Sequence, residues 1–99
     1  MFSWKKWLIL KKILLLDLKN DISIGELARL INIEQTHPYF NYILTFLRNK
    51  EVIINTNCIG RTQFLKINKK KLLKIVVDSE YYLHVEEVIK YKNPIWYNT

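Results

Sequence analysis

Apolar residues recur along the N-terminal stretch at the three- and four-residue intervals of a helix. Trp4, Trp7, Leu8, Leu14, Leu15 and Leu18 form one stripe, and Asn20-Asp21 follow as a stop. The spacing predicts a helix over residues 4 to 18. Ile9, Ile13 and Leu16 make a second stripe on roughly the opposite side. One core does not easily cover both, so the second stripe is expected to pack against the C-terminal segment or another subunit. Asp21-Ile22-Ser23 reads as a short extended piece. Ser23 and Glu26 stand three apart as in a capping box, each side chain able to satisfy a free backbone N–H where a helix starts. Leu27, Leu30 and Ile31, with the small Ala28, give that helix its apolar face, and Asn32 to Gln35 serve as the turn that follows.

Thr36-His37-Pro38 opens a third helix: Thr36 or His37 can cap it, and Pro38 sits in the first turn, where a missing N–H costs nothing. Phe40, Ile43, Leu44 and Leu47 make its core stripe. The other face carries Pro38, Asn41, Tyr42, Thr45 and Asn49, with Phe46 at its edge. Two β-branched runs, Val52-Ile53-Ile54 onward and Thr62 to Ile67, flank a turn containing Gly60 and read as a hairpin. Asn68 is expected to cap a helix from Lys69 to Val77. Ser79 is expected to cap a last one through about Tyr91, which Pro94 ends.

A chain of 99 residues holds one core. The domain is expected over residues 1–78, with 79–99 as a helical extension of it that packs or dimerises. No apolar run exceeds four residues, as at Ile13 to Leu16, against the roughly 20 that a spanning helix needs. The opening Met1-Phe2-Ser3-Trp4-Lys5-Lys6 superficially suggests a signal peptide, but lysines return at Lys11 and Lys12 and no small-residue cleavage site follows. With Cys58 the only cysteine, a reducing, cytoplasmic location is expected. The net charge of +7 is unevenly spread. Residues 1–20 sum to +4 and 36–77 to +7, while 21–35 and 78–99 each sum to −2. A basic middle between acidic flanks suits a surface that faces phosphate, although a solvated lysine-rich face would look the same on charge alone.

The order helix, short strand, helix, turn, helix, hairpin resembles the winged helix-turn-helix family over about residues 4–68. The closest stretch is Ser23-Ile24-Gly25-Glu26-Leu27-Ala28-Arg29-Leu30-Ile31, then Thr36 to Leu47, then Glu51-Val52-Ile53. It is similar to that family's "hydroxyl, x, x, Glu, Leu, Ala" positioning helix followed by a recognition helix and the first wing strand. Small archaeal and viral members share this size. One departure is Lys50-Glu51, where many members carry a glycine before the wing. The fold class implied is α+β and mainly helical, a winged helix with a two-stranded wing and additional C-terminal helix.

The resemblance implies a sequence-specific double-stranded DNA-binding protein, a transcriptional regulator, with residues 36–48 in the major groove and the wing at 53–67 on backbone or minor groove. Asn reads adenine edges bidentately, and Thr or Tyr meets thymine methyls and phosphate, so Asn41, Tyr42 and Thr45 are the expected base contacts. Free N–H groups near Thr36, His37 and Tyr39 favour a phosphate. Arg61 at the wing tip suits a narrow minor groove, and Arg48, Lys50 and Lys66 suit the DNA backbone. Lys69-Lys70-Lys71 either extend the basic surface or solubilise a helix start. A homodimer is expected through residues 78–99, where Tyr81, Val85, Val88 and Ile89 recur at helical spacing, with Tyr82, Tyr91, Trp96 and Tyr97 nearby.

No catalytic site, cofactor, metal or small-molecule ligand is expected. His37 and His84 have no Cys or carboxylate at ligand spacing, two glycines build no phosphate loop, and Cys58 has no nearby histidine. The alternative is a winged helix used for protein interaction, with exposed aromatics as anchors. A membrane-surface helix over residues 1–19 fits less well, because Lys11 interrupts the apolar arc and apolar residues wrap most of the helix.

Overall fold

Ser3 accepts a hydrogen bond from the Lys6 N–H at 3.2 Å and so caps α1, Trp4–Leu14. In chain order follow β1 (Ile22–Ser23), α2 (Ile24–Leu30), α3 (Pro38–Asn49), β2 (Ile53–Ile59), β3 (Thr62–Ile67) and α4 (Lys69–Asn98). This computed structural model describes residues 3–18 and 20–98, and side-chain surroundings as far as residue 87. The architecture is α+β and mainly helical: four helices around a three-stranded antiparallel sheet of order β1-β3-β2. Val88, Ile89, Tyr91, Trp96 and Tyr97, expected to pack or dimerise, lie outside the described side chains.

The short strand earns its place by pairing. Ile22 faces Leu65 and Ser23 faces Phe64, which anchors β3 to the start of α2. The hairpin runs from Ile53 opposite Ile67 to Ile59 opposite Thr62. Asn55 faces Leu65 while Asn57 faces Phe64, so Thr56 is the extra residue of a β-bulge, which bends the strand and increases its twist. Gly60 closes the tip at φ 62. Beyond Ile53 every residue of β2 is exposed, so the outer hairpin stands clear of the core.

Side chains from every helix meet in one core. Leu10 and Ile13 of α1, Leu27 of α2, Phe40, Ile43 and Leu47 of α3, Leu65 of β3 and Leu72 of α4 are all fully buried. The stripe expected on α3 is the one observed. Both short helices end in the same way without glycine. At the end of α2, Asn32 takes φ 59, with its N–H on Arg29 O and the Ile33 N–H on Ala28 O; at the end of α3, Glu51 takes φ 59, with its N–H on Arg48 O and the Val52 N–H on Leu47 O. These are Schellman caps. The Lys50-Glu51 turn, which carries no glycine, therefore still adopts the conformation that glycine favours.

Several expectations are corrected. α1 ends at Leu14: the Leu15 N–H still bonds Lys11 O four residues back, but the Leu16 N–H turns to Ile13 O, three residues back, and the chain leaves toward β1. Its buried side is Trp7, Ile9, Leu10 and Ile13, while Leu8 and Leu15 face solvent, so the two stripes read from spacing were divided wrongly. Apolar residues almost surround this helix, and only its neighbours decide which are covered. The capping box is half made: Ser23 accepts from the Glu26 N–H at 3.1 Å, but the Glu26 carboxylate turns to Arg29. Asn68 caps α4 as expected, its Oδ1 accepting from the Lys71 N–H at 3.2 Å. Ser79, however, starts no helix: its hydroxyl donates to Ile75 O at 2.5 Å, a bond to the preceding turn that lets it sit inside α4. The helix also continues through Pro94, whose missing N–H removes a single intrahelical bond. The position between 78 and 79 thus falls inside a continuous helix.

The C-terminal helix does cover α1; of the face expected to do so, Tyr81 is exposed and Val85 half-buried, while Val88 and Ile89 lie outside the described side chains. Leu72, Val76, Ser79 and Leu83 point inward at helical spacing. Trp7 Nε1 donates to Val76 O at 3.0 Å, Trp4 Nε1 donates to Glu87 at 2.6 Å, and the Trp4 ring meets His84 edge-on at 5.1 Å. Tyr81 is turned to solvent.

Candidate nucleic-acid interface

The start of α3 is built by His37 rather than Thr36. His37 Nδ1 accepts from the Tyr39 N–H at 3.1 Å, and Pro38 follows in the first turn. That turn has no acidic residue, so the positive end of the helix dipole is not neutralised there. Thr36 and His37 are exposed beside it. Core packing of Phe40, Ile43, Leu44 and Leu47 fixes the helix and turns Asn41, Thr45 and Asn49 to solvent.

Tyr39 and Tyr42 are less free than their neighbours. Their rings stack at 5.7 Å and 30°, with Lys5 Nζ 4.7 Å from the Tyr39 ring. Burial pushes the Tyr39 hydroxyl above the usual phenol range, against a hydrogen bond with Ser3 that lowers it, while Tyr42 adds to the rise. Lys6 comes from α1, only 3% exposed. Its ammonium donates to the Tyr42 hydroxyl at 3.1 Å and lies 3.5 Å from the centre of the Phe46 ring. The negative ring faces attract the cation and help offset its loss of water. The aromatic edge of α3 is thereby clamped to α1. Lys5 and Lys6 were missed as parts of this face; Lys6 lies 36 residues from Tyr42, and its only signal was a lysine beside apolar positions.

At the far end of α3, Arg48 Nη2 donates to Asn55 Oδ1 at 3.4 Å, tying the helix to β2. Arg48 Nε is buried without a hydrogen-bond partner. Arg61 is exposed at the β2–β3 turn, and it lines a polar cavity of about 370 Å³ with Ser23, Gly25, Gln35, Thr62 and Gln63. Gln35 immediately precedes Thr36, so the hairpin tip reaches the approach to α3. Lys66 is exposed on β3 opposite Ile54. The structure therefore groups Asn41, Tyr42 and Thr45 on α3 with Thr36 and His37 just ahead of its start, links Arg48 to the hairpin, and leaves Lys66 on the hairpin itself.

The lysines that open α4 are partly spoken for. Lys69 Nζ donates to the Leu16 carbonyl, and Lys71 pairs with Glu51 at 3.1 Å, while Lys70 is exposed. Cys58 is exposed and its thiol donates to Gly60 O at 3.4 Å. Among the described residues no group of three or more His, Cys, Asp or Glu could hold a metal ion, and no helix is long and apolar enough to cross a membrane. Compared with known proteins, the chain matches no family model and no curated sequence.

Proposed function

We infer that the chain is a winged-helix protein that binds double-stranded DNA, with α3 in the major groove and the β2–β3 hairpin as its wing, and that it acts as a transcriptional regulator. The observation that carries this reading is the solvent face of α3. It presents the amide of Asn41 and the hydroxyl of Thr45 from a helix held by four buried side chains, beside a helix start with no acidic residue. A helix of this kind fits the major groove, where an amide can satisfy both the N6 and N7 positions of adenine. Arg61 and Lys66 on the protruding hairpin add positive charge where a wing meets phosphate or the minor groove. Tyr42, held by Lys6, serves better as a rigid edge for a thymine methyl or a phosphate than as an adaptable reader.

Fluorescence-anisotropy titration of the intact chain against duplex DNA, at two salt concentrations, tests this. Binding that weakens steeply with salt is expected, because each phosphate contact releases counterions. Absence of binding at low salt would overturn it and favour the protein-interaction alternative, for which exposed Tyr81 and Tyr82 are available.

A further inference from the structure

A groove of about 390 Å³ opens where the end of α3 meets the middle of α4. Half-buried Phe46 and Ile75 and the exposed ring of Tyr82 give it a mainly apolar lining above the buried Ser79. Asp78, Tyr82 and Glu86 stand at intervals of four on α4, so a carboxylate residue lies on each side of Tyr82, about 6 Å away along the helix axis. Tyr81 meets the Tyr82 ring edge-on at 6.0 Å. Among the described residues neither carboxylate is in an ion pair, and Lys50 is the one cation of the lining. The groove therefore carries a net charge of −1 in a chain whose net charge is +7.

We propose that this groove binds an apolar organic cation of low molecular mass, of the quaternary ammonium or phosphonium class. A neutral apolar ligand would strip water from Asp78 and Glu86 without replacing it, and an organic anion would be repelled by both. A metal ion lacks donors, since no group of three or more His, Cys, Asp or Glu among the described residues could hold one. An organic cation meets every demand of the lining: its apolar surface is covered by Ile75 and Phe46, and its charge faces the two carboxylates. The negative face of an aromatic ring adds a further attraction. Lys6 already lies 3.5 Å from the centre of the Phe46 ring, so Tyr82 is the ring that takes the ligand's charge. Size agrees with the class, because small-molecule sites span about 300–1,000 Å³ and this groove falls at the lower end. The inference does not rest on DNA binding.

Isothermal titration calorimetry of the intact chain with tetraphenylphosphonium and with tetraphenylborate, in a sodium buffer, decides it. The two ions share shape and apolar surface and differ in the sign of their charge. The net charge of +7 favours the borate, so a preference for the phosphonium has to arise from a local site. Tetraphenylphosphonium is expected to bind saturably and about 10-fold more tightly than tetraphenylborate, the scale of two exposed charge pairs. Asp78→Asn combined with Glu86→Gln should weaken the phosphonium by about 10-fold, and Tyr82→Ala by about 3-fold, with far-UV circular dichroism confirming that each variant is folded. Glu80→Gln removes a carboxylate of the same helix that does not line the groove, and should leave binding unchanged. Borate binding as tight as phosphonium binding would make the groove merely apolar. An equal loss for Glu80→Gln would reduce the effect to net charge, and apparent binding that weakens as chain concentration rises would put a second copy in the groove. Any of these results, or no saturable binding of the phosphonium, overturns the proposal.

Discussion

Glu51 occupies a backbone position that favours glycine, at φ 59, where a side chain crowds the following carbonyl. Its carboxylate also pairs with Lys71 at the surface. Relief of the left-handed strain is worth about 1 kcal/mol and an exposed ion pair about 0.5, so Glu51→Gly should raise stability by about 0.5 kcal/mol in urea unfolding. Glu26 carries a different signal. The hydrogen bond from Arg29 holds its carboxyl below the ordinary glutamate range. A folded-state pKa below the unfolded one means that its contribution is present above the ordinary glutamate pKa and lost as pH falls through the depressed value. Glu26→Gln should therefore be less stable than wild type near neutrality. That difference should shrink as the pH falls below the carboxylate range, as read from urea midpoints across pH.

Among the elements, α2 is the most dependent on its ends. It has seven residues, too few to be stable alone, and it relies on the Ser23 cap and on the pairing of Ser23 with Phe64. Ser23→Ala removes the cap but leaves the strand backbone intact, and should cost about 1 kcal/mol in chemical unfolding. The sequence signals for α2 and α3 were local, a hydroxyl or histidine before an apolar repeat, and both helices fall where those signals put them. Helix α1 and the chain beyond Val77 were harder to read. Apolar residues almost surround α1, and Ser79 resembles a start although its hydroxyl bonds back to Ile75. The buried spacing Leu72, Val76, Ser79, Leu83 was present in the sequence, but a serine in the stripe reads as a break until it is seen buried with its hydroxyl bonded to the preceding turn.

Across the whole molecule, the proposed DNA contacts divide into those that would read bases and those that would hold phosphate. Asn41→Ala should cost about 1–3 kcal/mol at the preferred site and relax preference at one base position. Lys66→Ala should weaken all sequences alike and reduce the salt slope by about 1. Competition binding with a randomised duplex library separates the two, and an equal loss on every sequence for Asn41→Ala would remove Asn41 from the reading face. By itself the sequence determined the element order as far as β3, the core stripe and polar face of α3, the hairpin and the caps at Ser23 and Asn68, with Thr36 and His37 left as alternatives for α3, because each depends on residues only a few positions apart. Only the tertiary structure decided which side of α1 is buried, that α4 is continuous, that Lys6 clamps Tyr42 and Phe46, and that Lys69 and Lys71 are bonded within the chain. Each of these is a contact between distant parts of the chain, where burial and hydrogen bonding are settled by what packs opposite rather than by local spacing.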